Sequence, residues 1–474
     1  MVMSERGGFL DGVFDKTLNN LRTAWRDIAE SARNAIGAPL RPELSGEDVE
    51  RLREQMRNCL EGRGGEVSAR ARAADLGRTY LALNPVGRER FLRILAEGFD
   101  VDRAAVDASC AALVGKDGAE RLRAERALRR ALEAPRVKLL TQFNALPEGV
   151  KFLVDMRAEL MALSRDDVVL GALEQDLKAL LAHWFDIGFL ELRRITWEAP
   201  AALLEKLIVY EAVHEIRGWT DLKNRLEADR RCFAFFHPRM PDEPLIFVEV
   251  ALTRGIADSI HPLLDENAPL GDPASADTAI FYSISNCQAG LAGISFGNFL
   301  IKRVVDSLAA ELPRLKSFAT LSPCPGLRSW LEEQLAADGG GLLTIAELKA
   351  IRALPGSAEE TTLGEVLATP DWHQDEAVMR ALRESLLRLC ARYLMFEKTA
   401  TGRARDSVAH FHLSNGARLE RLNWAADLSP KGLQQSAGIM INYLYRLSEI
   451  EANHEAYTDE GKIAASVQLK ALLR

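Results

Sequence analysis

The sequence predicts an α+β protein in two parts, an all-helical N-terminal half followed by a half in which strands and helices mix. Three observations carry this. From about Ser45 to Phe189 apolar residues recur at helical spacing, and almost nothing alternates with period two. Near Trp197 the texture changes to short β-branched and aromatic runs between turn residues. The chain has 474 residues, too long for one ordinary core, so two or three domains are expected. We divide it into a helical arm over 1–40, a helical bundle over 41–190 and a mixed-sheet domain over 191–474.

In the arm, Phe9 to Arg33 reads as an amphipathic helix. Its acids Asp11, Asp15, Asp27 and Glu30 argue against a transit peptide. Ser45, with Asp48 three residues later, reads as a helix N-cap before Val49, Leu52, Met56 and Leu60. Asn84-Pro85 breaks a second helix, and a third begins near Phe91. An Arg-rich amphipathic stretch from Leu122 to Leu132 stops before Pro135, and a later helix holds Val168, Val169, Leu173, Leu177 and Leu180. This half reads as a bundle that serves as scaffold and oligomer contact. In the second half, Cys232–His237, Leu245–Leu252, Ala279–Ser285, Phe318–Leu321 and Ala409–Leu413 read as strands. A helix from Asn298 to Leu312 carries Ile301, Val304, Val305 and Leu308 on one face. Another follows Ser429-Pro430, where serine caps and proline suits the first turn. Leu327 to Lys398 reads as a helical insertion, broken by Gly339-Gly340-Gly341 and Pro355.

A net charge of -8 argues against a general nucleic-acid partner. No apolar run approaches the length of a membrane-spanning helix, so no membrane partner is expected either. The six cysteines are scattered without a C-x-x-C pair, which favours reduced thiols in a cytoplasmic protein over disulfides. The histidines show no H-x-x-x-H spacing, and no metal is expected. The C-terminal Ala471-Leu472-Leu473-Arg474 is not a peroxisomal address.

Three constellations could carry chemistry. The segment Gln288 to Asn298 is a glycine loop between a strand and a helix, where free N–H groups can form a nest for an anion such as a pyrophosphate. It is neither a G-x-G-x-x-G fingerprint nor a P-loop, and an ordinary connection fits the loop as well. Ser322 stands at a strand end before Pro323-Cys324-Pro325-Gly326. Its hydroxyl either caps a turn or faces a ligand, and no G-x-S-x-G elbow surrounds it. His410 and His412, read on a strand, share one face, either as acid–base groups or as surface residues.

Several blocks then resemble the malonyl-CoA decarboxylases. They are Phe281-Tyr282-Ser283-Ile284-Ser285, Phe299 to Val305, Leu321-Ser322-Pro323 with Pro325-Gly326, Phe411-His412-Leu413 with Asn415-Gly416-Ala417, Asn423-Trp424 with Ala426-Asp427, and Tyr210-Glu211-Ala212-Val213-His214. The resemblance runs from about residue 200 onward and implies a GNAT-like mixed-sheet catalytic domain behind a helical bundle used in oligomer contacts. It implies that CoA lies across splayed central strands. Its pyrophosphate would rest on Ala292, Gly293, Ile294, Ser295, Phe296, Gly297 and Asn298. It places the catalytic pair on Ser322 and His412; His410, on the same predicted face, is a candidate to share or support that role. Leu291 stands where the acyltransferase phosphate loop usually has its first glycine, a substitution the decarboxylases share.

The implied activity is conversion of malonyl-CoA to acetyl-CoA and CO2, through a thioester enolate protonated by a histidine. No metal or organic cofactor is expected, because the thioester carbonyl takes up the electrons. The expected partners are malonyl-CoA and further copies of the chain, as a dimer or tetramer. Lys302 and Arg303 are candidates for the ribose phosphate by proximity alone. A GNAT-type acyltransferase and a non-catalytic acyl-CoA sensor are the alternative readings.

Overall fold

The computed structural model describes residues 23–28, 40–61, 65–185, 187–294, 300–337, 341–354, 358 and 360–474. The chain divides into two compact units. The first comprises 1–191 with 236–245 and 286–296, and the second comprises 192–235, 246–285 and 297–474.

The first unit is built on helices Glu47–Leu60, Gly65–Ala82, Pro85–Gly98, Pro135–Phe143, Gly149–Leu163 and Val168–Trp184. Their apolar stripes meet in an aromatic centre where Tyr80, Phe91, Phe143 and Phe152 pack with rings 5.0–5.6 Å apart. Of the predicted arm helix, residues 23–28 are helical, and the remainder of Phe9–Arg33 lies outside the described residues. Trp25 is fully buried there and donates its indole N–H to the Pro147 carbonyl at 2.8 Å. A Cβ on Gly77 would lie 2.1 Å from the Trp25 ring, so this helix face must stay bare. The first cap differs from the prediction. Gly46 occupies it at φ 52°, and Asp48 binds Arg41 at 2.7 Å instead of a capping partner. The third helix starts at Pro85, where the Asn84 side chain accepts the Gly87 N–H at 2.9 Å. Helices Arg103–Ala111 and Gly118–Ala131 bury none of their side chains.

The second unit carries most of a mixed eight-stranded sheet: β1 Glu191–Ile195, β2 Arg230–His237, β3 Met240–Thr253, β4 Thr278–Asn286, β5 Ser317–Thr320, β6 Ser322–Pro323, β7 Arg418–Asn423 and β8 Met440–Tyr445. The order is β1-β2-β3-β4-β5-β8-β6, with β7 on the other edge of β8. β4 and β5 run parallel from Thr278↔Ser317 to Phe281↔Thr320. β8 is antiparallel to β5, β6 and β7. Alternation divides the side chains between two faces. Ala251, Ile280, Tyr282, Ala319, Leu321, Met440 and Leu444 form a core with Ile260, Leu263 and Ala426. Phe281, Ser283, Thr320, Tyr443 and Tyr445 alternate with these and take the opposite face.

The expected helical insertion is present as Leu327–Ala337, Ile345–Arg352, Leu363–Ala368 and Glu376–Phe396. Helix Leu300–Glu311 buries Ile301, Val304, Val305 and Leu308, and Ser429 caps helix Pro430–Ser436 by accepting the Gly432 N–H at 3.1 Å. One expected strand is corrected: Ala409–Leu413 lies inside an α-helix, Ser407–Ser414. No described helix is long and apolar enough to cross a membrane.

Candidate active site

The site is built where the parallel pair β4–β5 comes apart. The Leu321 N–H still reaches the Phe281 carbonyl at 3.0 Å. The chain then leaves β4, and Ser322 pairs with Ile441 on β8. Pro323, which has no N–H, and the Pro325-Gly326 turn end the pairing and send the chain into helix Leu327–Ala337. The Ser322 hydroxyl is thus fixed on a strand end, on the face opposite the apolar core.

His412 reaches that face from the helix Ser407–Ser414. Asp406 is its N-cap, with Oδ1 accepting the Val408 and Ala409 N–H groups at 3.0 Å each. The other carboxylate oxygen accepts the Gly326 N–H at 3.2 Å and faces the Cys324 thiol at 3.6 Å. One buried carboxylate therefore holds both the turn after Ser322 and the helix of His412. Burial pushes its pKa up, against backbone donors that favour the charged form.

His412 Nε2 lies 3.1 Å from Ser322 Oγ, and Nδ1 lies 2.8 Å from the Tyr445 hydroxyl. Ser322 Oγ donates to Thr320 Oγ1 at 2.9 Å, which also accepts the Tyr443 N–H at 3.1 Å. With the serine proton placed there, Nε2 must carry hydrogen and Nδ1 must accept from Tyr445. Burial raises the Tyr445 pKa well above its ordinary value, so the phenol keeps its proton. The imidazole is stacked on Tyr443 with ring centroids 4.5 Å apart. Burial lowers its pKa to about 3, so the resting ring is neutral at pH 7. The arrangement is a preorganised pair of donors, a hydroxyl and an N–H, in a site closed to bulk water.

His410 does not share this position. Two residues apart on a helix, the two imidazoles point to different sides. His410 Nδ1 meets the Tyr457 hydroxyl at 2.8 Å instead. Thr320, Asp406 and Tyr445 were not singled out from sequence. For Asp406 a signal existed, since aspartate before Ser-Val-Ala is an N-cap pattern. Glu211 is a further unanticipated buried acid. Its carboxylate accepts the Ser283 and Ser285 hydroxyls of β4 and the backbone N–H groups of Val213 and His214. A separate cavity of about 540 Å³, lined by Arg383, Arg421 and Trp424 among others, includes none of the catalytic candidates.

Within the first unit, the buried Arg157 donates to the carbonyls of Gly290 (2.6 Å) and Ala292 (3.0 Å) while paired with Glu174. Gly290 packs so closely that a Cβ would meet the Val154 carbonyl oxygen at 1.7 Å. Gly293 takes φ +73°, a conformation suited to glycine. Ala292, Gly293 and Ile294 are described, whereas Ser295, Phe296, Gly297 and Asn298 lie outside the described residues. In the second unit, Lys302 pairs with Glu451 at 2.9 Å and the Arg303 guanidinium lies over the Phe235 ring. Among the described residues, no group of three or more His, Cys, Asp or Glu is placed to hold a metal ion.

Residues 188–474 match the malonyl-CoA decarboxylase C-terminal domain family, and residues 99–185 match the malonyl-CoA decarboxylase N-terminal domain family. The mitochondrial malonyl-CoA decarboxylase of Anser anser anser is 39% identical over 419 residues, covering 85% of this chain and 83% of that protein. The mitochondrial enzyme of Mus musculus is 40% identical over 403 residues, covering 81% of this chain and 82% of its own. The crystal structure of malonyl-CoA decarboxylase from Rhodopseudomonas palustris superposes with a TM-score of 0.82 at 43% identity, covering 89% of this chain and 99% of that one. A homogeneous match of this extent, over both halves, settles descent: the chain belongs to the malonyl-CoA decarboxylase family of carboxy-lyases.

Proposed function

We propose that the protein converts malonyl-CoA to acetyl-CoA and CO2 with Ser322 and His412 at the reacting end. The observation that carries this reading is the buried 3.1 Å contact between Ser322 Oγ and His412 Nε2, made by side chains ninety residues apart. The carboxylate leaves as CO2, and its bonding pair moves into the thioester as an enolate. One proton, supplied in the end by solvent, then adds to carbon. The carbonyl is its own electron sink, so the step asks for no metal or organic cofactor.

Ser322 orients the malonyl carboxylate or thioester, and the His412 N–H meets the developing enolate oxygen. A preorganised donor of this kind is typically worth about 3–4 kcal/mol. The resting ring, with a pKa of about 3, is a poor proton source. The negative charge of bound substrate raises its proton affinity at the moment a proton is needed, and general acid catalysis of this type contributes roughly 10²–10⁴-fold. The loop at Ala292–Ile294 and its continuation to Asn298 hold the pyrophosphate, which fixes the acyl end. Incubating the protein with malonyl-CoA and no acceptor tests this. Acetyl-CoA and CO2 are expected. Free thiol formed only with an added amine supports an acyltransferase, and intact substrate supports a sensor. In the His412→Ala variant kcat should fall 10²-fold or more with CoA affinity retained. An unchanged kcat removes His412 from the mechanism.

The chain is expected to form a homodimer or tetramer through its helical half. Leu122, on helix Gly118–Ala131, and Val114 and Leu132, just past the ends of helices Arg103–Ala111 and Gly118–Ala131, stand exposed, as an unmade contact would leave them. A monomeric mass by light scattering would refute this. No disulfide joins the described cysteines, which favours the reducing cytoplasm.

A further inference from the structure

We infer that Lys178, on the last turns of helix Val168–Trp184, is a ligand for the pyrophosphate of the CoA substrate. The inference rests on the functional reading above, and both groups it joins lie within the first unit. A Cβ built on Gly293 would lie 3.2 Å from the Lys178 ammonium nitrogen and 3.6 Å from its Cε. The ammonium therefore stands over the one residue of the loop that glycine geometry opens to close approach. Among the described residues Lys178 has no carboxylate within ion-pair distance, and it is half-exposed. The neighbouring Glu174, one turn earlier on the same face, is already engaged by Arg157.

The loop is held in place by its own backbone hydrogen bonds and by Arg157. Arg157 draws in the carbonyls of Gly290 and Ala292. The N–H groups of Leu291, Ala292 and Ile294 donate to Gln288, Ala289 and Leu291. The Gly293 N–H has no acceptor among the described residues, and Gly293 is exposed. A free backbone N–H beside an unpaired ammonium, on a strained-open glycine, has the donor chemistry of an anion site, and a phosphate is an anion that both can share. Arg157 acts through the loop as a positioning residue; Lys178 touches the ligand.

The test compares wild type with Lys178→Ala and Lys178→Arg on three substrates at low ionic strength. These are malonyl-CoA, its 3′-dephospho analogue, and malonyl-pantetheine, which lacks the pyrophosphate. Loss of a charge-assisted hydrogen bond predicts a KM about tenfold higher for Lys178→Ala on both nucleotide substrates. kcat should stay within about twofold, Lys178→Arg should restore most of the loss, and added salt should shrink the difference. On malonyl-pantetheine the variants should match wild type. An unchanged KM on malonyl-CoA overturns the inference, as does an equal rise on malonyl-pantetheine. A rise confined to malonyl-CoA overturns it in favour of the 3′-phosphate. If wild type leaves malonyl-CoA intact, the functional reading itself fails, whereas an active wild type with an indifferent Lys178→Ala sinks the lysine alone.

Discussion

Replacing Asp406 by alanine should loosen both halves of the catalytic pair at once. Its carboxylate caps the helix of His412 through Val408 and Ala409 and holds the turn after Ser322 through Gly326. Loss of an N-cap costs about 1 kcal/mol. Leaving the partly buried Gly326 N–H without an acceptor adds about 1–2 kcal/mol. The expected destabilisation is therefore about 2–3 kcal/mol, read as a lower urea midpoint with an unchanged slope. Activity should suffer more than stability. A shift of about 1 Å in the relation of Ser322 to His412 can cost on the order of 10²-fold in rate. So kcat, measured well below the unfolding transition, should fall by one to two orders of magnitude with KM little changed. Asp406→Asn keeps the capping oxygen but turns an amide toward either Gly326 or the helix, and it should fall between. A variant that loses stability and keeps full kcat would show that the carboxylate fastens the helix without setting the distance, and the reasoning would fail.

Gly326→Ala should destabilise by about 1–3 kcal/mol, because the new Cβ would lie 2.2 Å from the buried Tyr393 hydroxyl; an unchanged denaturation midpoint would refute the tight contact. Acid should weaken the fold early. Burial holds His412 at about 3 and His214 at about 4, so above pH 7 both are neutral folded or unfolded and contribute no slope. As pH falls from about 6.5 toward 4, the unfolded chain gains protons that the folded chain refuses, and stability drops by up to about 1.4 kcal/mol per pH unit for each histidine. Urea midpoints at pH 7.5, 6 and 5 should therefore descend, and less steeply in His412→Gln. A flat profile would place the imidazoles in contact with water.

The bundle and most central strands were legible because their signals are local. Leu170, Leu173, Leu177 and Leu181 form one buried stripe at helical spacing, and β2, β3 and β4 each contain a short apolar run, Cys232–Phe236, Leu245–Val248 and Ala279–Tyr282. The reading of Ala-His-Phe-His-Leu as a strand failed because five alternating residues fit either period; the cap at Asp406 decides for helix. That error placed His410 beside His412, where a helix separates them. β7, Arg418–Asn423, is charged at Arg418, Glu420 and Arg421 and was invisible as a strand, since its pairing with β8 is non-local. Ser322 and His412 stood out locally, as a hydroxyl at a strand end and one of two nearby imidazoles, but their catalytic roles came only with the resemblance. Their contact, and the roles of Thr320, Asp406 and Tyr445, depend on the chain leaving β4 at Ser322 while it keeps its pairing with β8, which no window of sequence records.

That departure also shapes β4. The register between β4 and β5 ends at Phe281↔Thr320, while β4 itself continues to Asn286. On the proposed reading of the site, the amide-bearing pantetheine arm of the substrate would be the group to run along this stretch of β4. Recognition of that kind reads main chain alone. Side-chain drift along Tyr282–Ser285 would then leave grip on the carrier intact, while the choice of acyl group stays free to change at the far end.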